Sequence, residues 1–262
     1  MFSQKIYQNR SFDASKINWD SYQETELSQT NAEVVKMNTV IEYASLPAAI
    51  SMLNEIPEDL DLRSFIIKWV HDEHKHAYIL KEYCSRFIPD NEATIREFEE
   101  VAIPFSDSPM SVAEMMALHM CTELSVIRWY RKMADWHKEP LIKNIYKNLV
   151  LDEANHAAAF KTFMKKYYKK EHEKAILTIF QLFLSKRFFI SIKASSTLDI
   201  DKKSVHSRLP NPELFDHFLN DILEFNEKDQ RRLHSTILRI ASNLVGKEFE
   251  TVNDLKAYRK TL

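Results

Sequence analysis

Lys68-Trp69-Val70-His71-Asp72-Glu73-His74-Lys75-His76-Ala77 and Asn148-Leu149-Val150-Leu151-Asp152-Glu153-Ala154-Asn155-His156-Ala157 each set a glutamate three positions before a histidine, with an aspartate just ahead of the glutamate. On an α-helix, positions i and i+3 share a face, so either pair can grip one metal ion. A single Glu-x-x-His carries little weight, because these residue types are common on solvated helix faces. The surroundings add the weight. Trp69, Val70, Ala77 and Leu80 share the face of Glu73, and Tyr146, Leu149, Val150, Ala157 and Phe160 share that of Glu153. Glu123 sits among Met116, Met120, Val126, Ile127 and Tyr130, and Glu42 has Val35, Leu46 and Ala49 beside it. Each acid interrupts an apolar stripe that should face a core. A buried carboxylate without a cation costs on the order of several kcal/mol. Four at once call for a common explanation, and bound metal supplies one.

Heights along the helices support the same grouping. Turn signals centre near Pro57 and near Lys138. Glu42 lies 15 residues before the first turn and Glu73 lies 16 after it; Glu123 and Glu153 each lie 15 from the second. At 1.5 Å per residue, all four stand roughly 23 Å from their turns if each turn joins an antiparallel helix pair. The pattern E-x30-E-x2-H is followed by E-x29-E-x2-H. The expected metal ligands are therefore Glu42, Glu73, His76, Glu123, Glu153 and His156. Carboxylate and imidazole without thiolate suit two iron ions, with manganese or a mixed manganese–iron pair as alternatives. Glu73 and Glu153 are the expected bridges. Asp72 and Asp152, four positions before the histidines, are expected to accept from imidazole N–H groups and fix ring orientation.

Composition points to an all-α fold. The 262 residues include one glycine, Gly246, so hairpins and phosphate-cradling Gly-rich loops are excluded as recurring elements. The net charge of −2 gives no basic excess for nucleic acid. No run of about 18 apolar residues exists for a membrane span. The first residues lack a signal-peptide stretch, and a cytoplasmic location is expected. Cys84 and Cys121 form no CxxC and read as buried thiols.

Helices are expected over about 24–54 (kinked at Pro47), 58–87, 111–136, 140–169, 171–192, 213–225 and 229–245, with a short one near the end. Ser111 and Glu114 form a capping-box pattern, and Pro140 suits a first helical position. Residues 1–20 read as an arm lying on the bundle. Roughly 23 residues join the second and third helices, as in a ferritin-like four-helix bundle with one long crossover. The chain is expected to be one domain, with the metal-binding bundle at about 24–168 and accessory helices beyond it.

The paired Asp72-Glu73-x-Lys75-His76 and Asp152-Glu153-x-Asn155-His156 resemble the repeated signature of the soluble di-iron carboxylate oxygenases and desaturases of the ferritin-like superfamily. Trp69, and Pro47 soon after Glu42, look most like soluble acyl-carrier-protein desaturases. That resemblance covers about 24–168 and implies a cytoplasmic oxidoreductase. It would use dioxygen and an external electron donor on an organic substrate, such as a fatty acyl or carrier-bound chain. Three departures bear on the reaction. Val126 and Ile127 stand where those enzymes carry a threonine one turn after the third-helix glutamate. Lys75 and Asn155 replace the motif arginine. Leu149 stands where arylamine N-oxygenases carry an extra histidine ligand.

Alternatives stay open on these residues. The chain reads either as an oxygenase or desaturase, as an iron-handling ferritin-like protein without organic substrate, or as an amine N-oxygenase. A radical-generating subunit would draw on Tyr130 or Tyr146. His119, one turn before Glu123, is a seventh ligand, a proton donor or a core histidine. Lys165, Lys166, Lys169 and Lys170 either complement a helix dipole or dock an acidic carrier or redox protein. His71, His74, His137 and His172 fall off the metal face and read as solvated. Phe180, Phe183, Phe188 and Phe189 read as core or as pocket lining. A homodimer is left open.

Overall fold

A computed structural model describes residues 11–43, 49, 52–89, 110–184 and 227–262. These residues contain no strand. The helices are α1 (Gln29–Tyr43), α2 (Leu60–Phe87), α3 (Val112–Trp136), α4 (Pro140–Tyr167), α5 (Glu173–Leu184), α6 (Glu227–Val245) and α7 (Val252–Arg259), with short 3₁₀ turns before α1 and before α5. The fold class is the expected one, all-α and ferritin-like. Pro47, Phe188, Phe189, the expected helix at 213–225 and nearly all of the crossover lie outside the described residues.

The chain divides into two compact units. The first holds the described residues up to 89 together with 129–152; the second holds 110–128, 153–184 and 227–262. Both α3 and α4 contribute to each unit, because the dividing points fall inside these helices.

Helix starts follow the local chemistry. The sequence places the first helix at Glu24, but Glu24–Glu26 is one 3₁₀ turn and α1 starts only after Ser28. Ser28 is the better cap: its Oγ accepts from Asn31 N at 3.2 Å. Asp59 caps α2 by accepting from Asp61 N and Leu62 N, which moves the start from the expected residue 58 to Leu60. Ser111 and Glu114 make the expected reciprocal pair at α3, at 3.0 and 3.3 Å. Pro140 opens α4 as expected, and Glu139 caps it, accepting from Leu141 N at 3.0 Å and Ile142 N at 2.7 Å. Glu139 also accepts from Gln23 N and from Tyr83 Oη, so this fully buried carboxylate joins the segment before α1 to α2 and α4. Glu139→Ala is expected to destabilise the protein by about 2 kcal/mol or more, since three backbone N–H groups and a phenol lose their acceptor. Urea denaturation measures it.

In the first unit four helices meet. Val34, Val35 and Val40 of α1, Leu62, Phe65, Ile66 and Leu80 of α2, Met133 of α3, and Ile142 and Ile145 of α4 are buried. Each such side chain contributes roughly 1.5–3 kcal/mol of burial. A polar chain runs through this core. Trp129 Nε1 donates to Asn38 Oδ1 at 2.9 Å, and Asn38 Nδ2 donates to Tyr146 Oη at 2.6 Å. It ties α1, α3 and α4 in one register.

His137 departs from its expected solvated position. It is 1% exposed, stacks on Tyr146 at 5.3 Å between centroids, and pairs through Nδ1 with Asn31 at 3.0 Å. The α3–α4 turn is tucked beneath the start of α1, which no periodicity in the turn itself reveals. Burial pushes His137 down to about 3. The folded state therefore stays unprotonated there while the unfolded state takes a proton below about 6.5. Stability is full above that value and falls as pH drops toward 3. The slope from this residue is about 1.4 kcal/mol per pH unit. Chemical denaturation between pH 7 and 5 should show the loss, and His137→Gln should flatten it.

In the second unit, Ile176, Leu177, Phe180 and Phe183 of α5 and Leu233, Ile237 and Ala241 of α6 are buried, so Phe180 and Phe183 are core residues. Gly246 takes φ 71° directly after α6, with its N–H and that of Lys247 returning to Ser242 O. This is the left-handed cap for which glycine is suited. Thr251 and Asp254 form a capping box on α7. Glu173 accepts from Lys170, Tyr168 and, at 2.8 Å, Tyr258, fastening α7 to the start of α5. The basic run thus splits: Lys165 and Lys166 occupy the last turn of α4, while Lys170 serves Glu173. His172 is half-buried rather than solvated.

Candidate metal centre

The expected ligands are all buried. In the first unit, Glu42 of α1 and Glu73 and His76 of α2 each offer a donor atom, and these donors lie within 4.8 Å of one another. His76 Nδ1 is 3.5 Å from Glu42 Oε2 and 4.0 Å from Glu73 Oε2. In the second unit, Glu123 of α3 and Glu153 and His156 of α4 do the same, again within 4.8 Å. His156 Nδ1 is 3.0 Å from Glu153 Oε2 and 4.0 Å from Glu123 Oε2. Each unit thus holds one glutamate and one Glu-x-x-His from neighbouring helices.

Donors bound about 2.1 Å from one ion stand at most about 4.2 Å apart, so each triad needs only a slight contraction to hold a metal. The donor set is oxygen and imidazole nitrogen. The two cysteines lie elsewhere as buried thiols, and burial pushes Cys84 up to about 12 and raises Cys121 as well. This chemistry fits iron or manganese.

Asp152 stands within hydrogen-bond distance of an imidazole, but that of the other motif's histidine. His76 Nε2 stands 3.0 Å from Asp152 Oδ2, which assigns the ring proton to Nε2 and turns Nδ1 toward Glu42 and Glu73. Burial works to raise the Asp152 carboxyl, yet the hydrogen bonds from His76 and Lys75 prevail and hold it below the usual carboxylate range. Asp72, the other aspartate, receives Ser11 Oγ at 2.7 Å and the ammonium groups of Lys68 and Lys75. Lys75, which replaces an expected arginine, also reaches Asp152 Oδ2 at 2.7 Å and the Phe12 carbonyl at 3.1 Å. One cation joins both aspartates to the arm. The i,i+3 spacing of Asp72 and Lys75 signals one of these contacts in the sequence; those to Asp152 and Phe12 have no local signal.

His119 stacks on Phe160, with ring centroids 5.3 Å apart, and burial pushes it down to about 4. Its imidazole is neutral near pH 7. Tyr130 and Tyr146 lie 5.3 Å apart, tilted, within the core of the first unit. Among the described residues no helix is long and apolar enough to cross a membrane.

A model of the Rubrerythrin family matches residues 60–164, from the start of α2 to the last turns of α4. That span includes five of the six expected ligands; Glu42 lies outside it. The match supports placement in the ferritin-like di-iron superfamily and does not bear on acyl-carrier-protein desaturases in particular. No curated protein matches the chain.

Proposed function

We propose that the two triads act together as one di-iron centre and that the protein is a non-haem di-iron oxidoreductase consuming dioxygen. The observation that carries this reading is the duplicated triad. Two buried Glu-plus-Glu-x-x-His sets occur at matching distances from two helix turns, and one of the histidines is oriented by a buried aspartate. Covalent continuity supports the pairing, since Asp152, which orients His76, and Glu153, a donor of the other triad, are consecutive residues of α4. The Rubrerythrin match supports the same class. On this reading residues 1–262 form a single ferritin-like domain.

Iron bound there would supply redox chemistry toward dioxygen. The chain's own residues set the conditions for it. Glu42, Glu73, Glu123 and Glu153 would hold the ions and offset their cationic charge. His76 and His156 present Nδ1. Asp152 keeps the proton of His76 on Nε2. Leu149, Met116 and Phe160 are fully buried on the helices that carry the donors, and apolar neighbours of this kind would help exclude water. His119, one turn before Glu123, would add a ligand rather than donate a proton, since burial keeps its imidazole neutral near pH 7.

An organic substrate, desaturated or oxygenated, is the first version of this reading, with an external electron donor and dioxygen as partners. A fatty acyl chain, free or on an acidic carrier, would be such a substrate, and Lys165, Lys166 and Lys169 would offer a cationic dock for the carrier. Iron handling without organic substrate is the second version. It is favoured by Val126 and Ile127, which leave no hydroxyl one turn after Glu123. Oxygen uptake by the ferrous protein separates the two. Uptake that rises on adding reductant and a co-purified acyl or amine compound supports the first. A single uptake phase that ends in retained ferric iron supports the second. No uptake at all by iron-loaded protein contradicts both.

A further inference from the structure

The arm makes a compact set of bonds to the side chains that stand behind His76. Phe12 N donates to Asp152 Oδ1 at 2.9 Å, while His76 and Lys75 occupy Asp152 Oδ2. The Phe12 carbonyl accepts from Lys75 Nζ at 3.1 Å. The Phe12 ring lies nearly parallel to the His76 imidazole, centroids 6.4 Å apart, and Lys75 Nζ stands 4.8 Å over the same ring. Ser11 Oγ accepts from Lys68 Nζ at 2.8 Å and donates to Asp72 Oδ1 at 2.7 Å. Two consecutive arm residues therefore use both backbone groups of Phe12, its ring and the Ser11 hydroxyl on one buried cluster.

We infer that Ser11 and Phe12 are positioning residues: they form a strap that locks Asp152, and through it the His76 ring, with Nδ1 facing the metal donors. The physical case is a matter of degrees of freedom. A carboxylate held at one oxygen rotates about its terminal torsion, which has a broad well. Asp152 is held at both oxygens from three directions, and one holder is a backbone N–H that is fixed only while the arm is docked. Lys75 is likewise satisfied by two aspartates and one arm carbonyl. Releasing the arm exposes Asp152 and Lys75 to water, frees the carboxylate to turn, and removes the apolar cover over His76. The arm thus adds a holding device to the site from a segment outside the bundle helices and outside the Rubrerythrin match. The metal part of this inference rests on the di-iron reading; the orientation of His76 does not.

Two variants test the strap as a whole. Phe12→Pro removes both the N–H that reaches Asp152 and the aromatic ring, and Phe12→Tyr keeps both. Ser15→Ala is the arm control, because the Ser15 hydroxyl bonds only to exposed Asp13. The first readout is metal release from iron-loaded protein to a chelator under argon. Phe12→Pro is expected to speed release about tenfold, on the scale of outer partners of metal-bound histidine. Phe12→Tyr and Ser15→Ala should match the parent. The second readout needs no metal. In ¹⁵N-histidine-labelled apoprotein, the parent should show His76 as the Nε2–H form, and Phe12→Pro should move its shifts toward tautomer averaging. Unchanged release and unchanged shifts in a folded Phe12→Pro protein overturn the strap. A parent that takes up no iron contradicts the di-iron reading alone, and the ¹⁵N shifts then decide the strap by themselves.

Discussion

Glu153→Gln is expected to cut iron loading from about two ions per chain to fewer than one and, in the same protein, to raise the melting temperature of the metal-free form. The opposite signs come from one cause. Glu153 is 1% exposed and lies within 4.8 Å of the donors of Glu123 and His156. With metal bound, its charge is matched by the ion. Without metal, it adds a negative charge near that of Glu123 in a poorly solvated place, which costs stability. Glutamine keeps the volume and can still bond His156, so packing does not obscure the comparison. A gain of about 1 kcal/mol corresponds to roughly 2–4 °C for a chain of this size. Metal analysis and calorimetry of both forms measure the two effects. Equal melting temperatures with intact loading would assign Glu153 to ordinary packing.

The largest stability effect is expected at Lys75. Its ammonium is the bond partner shared by Asp72, Asp152 and Phe12 O, and both carboxylates are about 1% exposed. Lys75→Met leaves Asp152 without its cation inside the protein. Removing one partner of a buried pair costs about 3–5 kcal/mol, and the partial exposure of the lysine tip, 14%, lowers the expectation to roughly 2–3 kcal/mol. That amounts to about 4–12 °C. Lys68→Met should cost under about 1 kcal/mol, because Lys68 is more exposed and Asp72 keeps Lys75 and Ser11. The double variant Lys75→Met/Asp152→Asn should recover part of the loss, since the stranded charge is gone. Thermal denaturation of the four proteins tests the ordering.

Helices and ligand spacing were legible in the sequence because both follow a short period. Glu-x-x-His can be read as a bite only because i and i+3 coincide on a helix, and the apolar neighbours of each acid mark its face. Caps were legible where they use standard residues, as at Ser111 with Glu114. Glu139 is hidden, since a glutamate next to proline in a turn gives no sign that it will be buried beneath Gln23 and Tyr83. His137 was misread for the same reason: the side that covers it comes from Asn31, more than a hundred positions away. Ser11 and Phe12 show no period at all, so their contact with Asp72 and Asp152 could not be read from sequence. Asp152 is expected from its spacing to accept from an imidazole, but the histidine within its reach lies on another helix, which only the fold brings beside it.

Anaerobic titration of the purified chain with ferrous iron, followed by circular dichroism in the ligand-field region, tests the central claim most directly. The expected result is saturation at about two ions per chain, reduced to fewer than one by Glu153→Gln and unchanged by His71→Ala, which is exposed. Saturation near zero, or two ions retained when Glu153 is changed, would contradict a di-iron centre built from Glu42, Glu73, His76, Glu123, Glu153 and His156.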